Sequence, residues 1–265
     1  MRKDKNMNKK FKYSILTFIF GNYGTPHEIE GELEPDVEYI LVTDNSKLTS
    51  KTWKIIVDKD LEGKGVFDKC FSVRYNPFKY CNSDICVRID ATIGILKSIT
   101  PMVDAFIESE CDACFLLHPY RDNLNNEYDV WNWLRDYPIE QIKKQNLLLD
   151  TIGYDRNKKG LIQLNFAINR KCKICDDIDR ITYAMIKYLG TENDIDRLDQ
   201  TIITAVLDRF FPKLKIFFVG EDIIHSEYMQ RYDHNSNNKA PYWTDNIIEP
   251  FYRGEKVELF QFHKQ

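Results

Sequence analysis

No stretch of this chain approaches the ~20 consecutive apolar residues that a bilayer-spanning helix requires. The basic opening MRKDKNMNKK is followed by an apolar run, yet that run is short, is interrupted by Tyr13, Ser14 and Thr17, and has no small-residue cleavage site after it. Tyr13 to Phe20 is therefore read as a first strand, and residues 1–12 as a basic segment without fixed structure. A surplus of positive charge is missing too: 37 Lys and Arg stand against 41 Asp and Glu, for a net charge of −4. Such a chain has no field able to neutralise many phosphates, and nucleic acid is not an expected partner. Seven cysteines are an odd number in a chain too long to need disulfide staples, which points to a reducing, cytoplasmic setting. Peripheral contact with the inner face of a membrane is compatible with that setting. The two Cys-x-x-Cys pairs, Cys111/Cys114 and Cys172/Cys175, lie too far apart for a zinc ribbon and lack a glycine-rich knuckle. Internal repeats, heptads and low-complexity tracts are absent from residue 13 onward.

What is present is ordinary for a globular enzyme: 43% hydrophobic and 29% charged residues in 265. One domain over 13–265 is expected. Its first half alternates short apolar runs with turn signals: YSILTFIF, VEYILVTD, WKIIVD, ICVRIDATIGI and ACFLLHP. Several lack clean alternation, the pattern of strands buried on both faces, and this predicts an α/β fold with a mostly parallel central sheet flanked by helices. The loop segments Gly21–Pro26, Asp44–Ser46 and Gly63–Gly65 follow such runs, where open α/β sheets bind ligands. The second half reads as more helical. Asp129–Tyr137, Asp176–Leu189 and Asp196–Phe211 carry apolar residues at helical spacing, and LKIFFV (214–219) reads as a strand. Tyr232–Lys239 has loop composition.

Four segments place chemistry-bearing groups at strand or helix ends. Asp44, closing VEYILVTD, is suited to accept hydrogen bonds from a nucleobase or ribose, or simply from its own turn. Asp90 lies inside an apolar run and must either pair, with Arg88 or Arg74, or bind a cation such as Mn²⁺ or Mg²⁺, whose remaining oxygen ligands would include a diphosphate. His118 and Arg121, in Leu117–Asp122, suit a sugar hydroxyl and a phosphate or carboxylate respectively, and equally suit a salt-bridged loop. Asp199 opens a helix, where it can hold or deprotonate an acceptor hydroxyl or serve only as a cap.

The order of these segments resembles GT-A type glycosyltransferases, in particular the bacterial and plant glycosyltransferase-like group once known only as a domain of unknown function and linked to plant wall polysaccharides. The shared pattern runs through Gly21-Asn22-Tyr23, Thr43-Asp44 with Trp53 after it, Arg74 and Pro77, Arg88-Ile89-Asp90, His118 to Arg121 with Glu127, and Asp199-Gln200, over roughly residues 13 to 235. Each motif is weak singly and the ordered set is moderately specific. The resemblance implies a nucleotide-sugar donor, most simply a UDP-sugar, and a glycan or glycolipid acceptor in surface polysaccharide synthesis. It implies that Asn22, Tyr23, Asp44 and Arg74 hold the nucleotide. Asp90, with His225 or His234, would then meet the Mn²⁺ or Mg²⁺ diphosphate, and His118, Arg121 and Asp199 would face the sugar and acceptor. The chain departs from the pattern in having one carboxylate in Asp90-Ala91-Thr92 where Asp-x-Asp is usual, which bears on metal dependence and on activity itself. Two other readings stand beside this one: a degenerate domain that binds a nucleotide sugar or a protein without transfer, and a metal-dependent hydrolase using Asp44, Asp90 and Asp122.

Overall fold

The apolar runs at the head of the chain become parallel strands. The computed structural model describes residues 10–21, 23–133, 139–190, 198–233, 236–242, 244 and 247–261. In it, β1 (Tyr13–Ile19), β2 (Val37–Thr43), β3 (Lys54–Val57) and β4 (Ile85–Ile89) pair in parallel. They continue into β6 (Ala113–Leu117), β7 (Ile162–Arg170) and β8 (Ile216–Val219), for a seven-stranded order β3-β2-β1-β4-β7-β6-β8. Only β7 runs against the rest of that sheet, antiparallel to both β4 and β6.

Side chains alternate between two apolar layers, which is why these runs are apolar throughout rather than every second residue. On β1, Tyr13, Ile15 and Ile19 join one cluster while Leu16, with Phe20 just beyond the strand, joins another. On β6, Ala113, Phe115 and Leu117 face one side, and Cys114 and Leu116 the other. The first layer is closed by α2 (Thr100–Glu108), through Met102, Val103 and Phe106. The opposite side is covered by α1 (Val66–Arg74), α5 (Lys173–Leu189) and α6 (Leu198–Phe210), with α3 (Leu124–Trp133) and α4 (Ile139–Thr151) beyond.

Several expectations change in detail. ICVRIDATIGI is not one strand: the chain turns at Asp90, whose carbonyl accepts from Ile93 N–H at 2.9 Å, and β5 (Ile93–Ile95) leaves the main sheet to pair with β9 (Met229–Arg231). The second half holds a nine-residue strand, β7, that lies in the middle of the sheet. Residues 1–9 lie outside the described residues, whereas Lys12 is joined to the fold, its N–H donating to Asp36 O at 2.8 Å and its ammonium bonding Asp104. Cys114 and Cys175 are buried, and all seven cysteines are free. Among the described residues no helix is long and apolar enough to cross a membrane.

Two contacts fix α6. Thr204 accepts from Ile162 N–H on β7 (3.1 Å) and donates to Gln200 O (2.7 Å). At the other end Arg253 donates to the carbonyls of Leu207 (2.7 Å), Phe211 (2.8 Å) and Pro212 (2.5 Å), satisfying acceptors that a helix C-terminus leaves open. Arg253 and Gly254, both at positive φ, form the two-residue turn of a hairpin between β10 (Phe251–Tyr252) and β11 (Glu255–Lys256). That hairpin lies against Gly160, where φ is +120° and a Cβ would sit 2.7 Å from Tyr252 Cα, so only glycine fits.

Candidate functional site

In the order 3-2-1-4 the chain reverses direction across the sheet between β1 and β4, and the crevice outside the carboxyl ends of strands at such a switch is where open α/β sheets bind ligands. A cavity of about 380 Å³ lies there. The segment after β1 contributes Phe20 and Tyr23, the end of β4 contributes Asp90 and Thr92, and the loop after β6 contributes His118 and Arg121. The helices add Arg74 from α1, Glu127 from α3, and Asp199 and Gln200 from α6. Tyr23, Arg74, Asp90, His118, Arg121 and Asp199, dispersed over 177 positions of the sequence (199 − 23 + 1), thus share one wall-to-wall space.

Arg74 is the hub. Its guanidinium bonds Asp90 at 2.7 Å and Asp199 still more closely, and lies 5.5 Å above the Phe18 ring. Burial by itself would lower the Arg74 pKa, but Asp199 and Asp90 outweigh it and push the value up, so the cation is permanent. Asp199 is buried, with one oxygen on Arg74 and the other accepting from Gln200 N–H at 2.9 Å. Asp90 differs in keeping about a third of its side chain exposed (35%). It is the carboxylate open to a ligand.

The second charged unit is Arg121 with Glu127, Nε to Oε2 at 2.8 Å, Glu127 being fully buried. Beside it His118 accepts from the N–H groups of Tyr120 and Arg121 (3.2 Å each), and its Nε2 faces the Arg121 guanidinium, 3.0 Å from Nε. Burial, then Arg121 and Arg231, hold the His118 pKa well below the usual imidazole value. A neutral imidazole follows, suited to hydrogen bonding and not to carrying charge. Cys70 also lines the cavity, but burial pushes its thiol up to about 12, which removes it as a nucleophile at neutral pH.

The other sequence candidates fall elsewhere. Asp44 does not line the cavity: it accepts from Gly21 N–H at 3.1 Å and from the Lys69 ammonium at 2.7 Å. Burial raises its pKa, and Lys69 and Gly21 more than reverse that and hold the carboxylate low. Asp122 pairs with Lys159 at 3.3 Å and is also outside the cavity, so the three carboxylates Asp44, Asp90 and Asp122 are not assembled. His225 does not line the cavity that holds Asp90. It ends a short turn, stacks on Tyr242 with centroids 4.7 Å apart, and faces Glu221 at 3.5 Å; Glu221 in turn bonds Arg231, which does reach the cavity. Asn22 and His234 lie outside the described residues. Among the described residues no group of three or more His, Cys, Asp and Glu is arranged to hold a metal ion. Asp90 fits a cation as a single carboxylate ligand, the case in which substrate phosphates and water complete the shell.

Comparison of the sequence with protein-family models finds no match, and neither does comparison with curated proteins.

The residues missing from the sequence candidates are Gln163 and Asn165 on β7. Both are buried and line the cavity, and among the described residues Gln163 Oε1, Asn165 Oδ1 and Asn165 Nδ2 have no hydrogen-bond partner and almost no accessible surface. The same holds for Gln200 Oε1 on α6. Each such group costs about 1–3 kcal/mol while its bond is unmade. Their position comes from a register break. Phe115 on β6 opposes Ala167, but the next residue, Leu116, opposes Gln163, so Leu164–Phe166 are skipped by the ladder and the sheet opens at the cavity. The available signal was the polar pair Gln163 and Asn165 at period two inside an apolar run.

Proposed function

We propose that the chain is a nucleotide-sugar-dependent glycosyltransferase of GT-A type, moving a sugar from a nucleotide diphosphate donor, most simply a UDP-sugar, to a glycan or glycolipid acceptor. The reading rests on the sequence resemblance described above. The observation that carries it is the convergence of Tyr23, Arg74, Asp90, His118, Arg121 and Asp199 on one cavity at the sheet's switch point.

In this reading Asp90, the part-exposed carboxylate, would hold a Mn²⁺ or Mg²⁺ ion. The cation would stabilise negative charge on the leaving diphosphate. The anomeric carbon–oxygen bond to the diphosphate breaks with its electron pair leaving on that oxygen, and a bond forms to the acceptor oxygen. The acceptor proton goes to the departing diphosphate oxygen, since Asp90 would hold the cation and is paired with Arg74. Asp199 has both oxygens engaged, so its contribution is to hold Arg74 and with it Asp90 in place. Neutral His118 and paired Arg121 line the same cavity as hydrogen-bonding groups.

The engagement of Asp199, together with the single carboxylate at Asp90-Ala91-Thr92, favours one alternative: binding of a nucleotide sugar without transfer. A thermal-shift screen against UDP-, GDP-, ADP- and CMP-sugars, with and without Mn²⁺, separates the cases when joined to a donor-hydrolysis assay. A transferase gives a nucleotide-specific rise in Tm that needs Mn²⁺, is lost in Asp90→Ala, and is accompanied by slow hydrolysis. A rise with no turnover for any acceptor supports the binding-only reading; no rise with any donor overturns both.

A further inference from the structure

We infer that Cys172 and Cys175, at the start of α5, form a reversible dithiol–disulfide site that exchanges with low-molecular-weight disulfides. The inference is independent of the transferase reading, and its test measures no sugar transfer.

Three observations carry it. The first is position. Cys172 is the N-cap of α5 and Cys175 its third residue, so the two thiols stand one helical turn apart on the same side. They interact directly. Disulfides join Cα atoms about 4.4–6.8 Å apart, a span that one turn provides.

The second is a division of exposure. Cys172 is half-buried, within reach of a small solute, whereas Cys175 is fully buried, its Sγ donating to Asp112 O at 3.3 Å. One thiol can meet a partner from outside while the other stands behind it. Cys81 and Cys86 lack this division: their sulfurs lie 3.4 Å apart, but both thiols are buried.

The third is the electrostatic setting. No side chain caps the first turn of α5, so its N–H groups are open to an anion at the N-cap position, where the Cys172 sulfur stands. The exposed Lys171 and Lys173 flank it, Lys173 being shared with Asp177 at 2.6 Å. The thiolate is the reactive form, and a helix N-terminus with lysines beside it favours that form. Burial pushes the Cys175 thiol up and Cys172 adds to the rise, which makes Cys172 the attacking group and Cys175 the resolving one.

The exchange runs in two steps. The Cys172 thiolate attacks one sulfur of the incoming disulfide, whose S–S bond breaks with its electron pair leaving on the other sulfur. The departing thiolate takes up the proton that Cys172 released. Cys175 then attacks the Cys172 sulfur of the mixed disulfide, and the second small thiolate leaves and takes up the Cys175 proton. Two protein thiols are oxidised and one small disulfide is reduced to two thiols.

The test uses the full chain, reduced and then exposed to glutathione disulfide, with mass spectrometry of proteolytic peptides and circular dichroism to verify that the protein is folded. Wild type is expected to lose two thiols, to carry a Cys172–Cys175 bridge, and to recover both thiols in excess glutathione. Cys175→Ser is expected to trap one glutathione on Cys172, with Cys175→Ala in its place if the serine variant does not fold. Cys172→Ser should slow thiol loss about tenfold, and Cys81→Ser should leave the rate and the bridge unchanged. A bridge that forms first at Cys81–Cys86 or Cys111–Cys114, a bridge that needs unfolded protein, or no reaction at Cys172 overturns the inference and leaves the transferase reading as it stands.

Discussion

The two sides of the cavity are built on opposite principles. Around Arg74, charge is met by charge: Asp90 after β4 and Asp199 on α6 both bond its guanidinium. On β7, Gln163 Oε1 and both amide atoms of Asn165 have no partner among the described residues. The difference follows from magnitude. An ion left unpaired in the interior costs several kcal/mol, enough to consume a large share of a domain's net stability, so it must be matched within the fold. An unpaired amide costs about 1–3 kcal/mol, which a chain can sustain.

The comparison breaks if the charged side can be dismantled cheaply. Arg74→Met removes the cation that Asp90 and the buried Asp199 share, and should lower unfolding free energy by about 3–5 kcal/mol in urea titration. A loss below about 1 kcal/mol would mean that the ion pair is not structural. On the amide side the sign reverses. Gln163→Met and Asn165→Leu remove unmatched polar atoms and should stabilise the protein by about 1 kcal/mol each, read as a raised Tm. Equal or lowered stability would show that water or a rearranged neighbour already satisfies those atoms. Asp90→Ala sharpens the boundary between the two sides. Because Asp90 is part-exposed and Arg74 keeps Asp199, stability should change by less than about 1 kcal/mol although donor binding is lost.

The smallest effect concerns pH. His118 is kept neutral in the fold, whereas an unfolded imidazole takes up a proton below about 6.5. The unfolded chain therefore binds more protons over that range, and stability is present above about pH 6.5 and lost as the pH falls further. Tm should drop between pH 7 and pH 5, and His118→Asn should drop less. Identical slopes would exclude His118 as a contributor.

The strands legible in the sequence were those buried in apolar company on both faces, such as β1, β2 and β6. β7 was not, since Gln163, Asn165 and Asn169 interrupt its apolar run, and the first two are the groups that face the cavity. α1 was missed as well, and with it the partner of Asp44: nothing in the spacing of Lys69 relative to Asp44 announces a bond at 2.7 Å. Arg74 and Asp90 were legible as a possible pair because a carboxylate in an apolar run needs a cation, a constraint that local sequence does carry. That Asp199 joins the same guanidinium depends on where α6 packs. That is a tertiary fact.

Helix α6 carries Asp199 at one end and is gripped at the other by Arg253 through three carbonyls. Its thirteen residues make a rod of about 20 Å. Rods transmit displacement, so a lesion in the C-terminal hairpin, such as Arg253→Ala or an insertion beside Gly254, should be felt at the Arg74 hub as a shifted carboxylate. The hairpin behaves as the fixed end of a lever, and loosening it moves the tip.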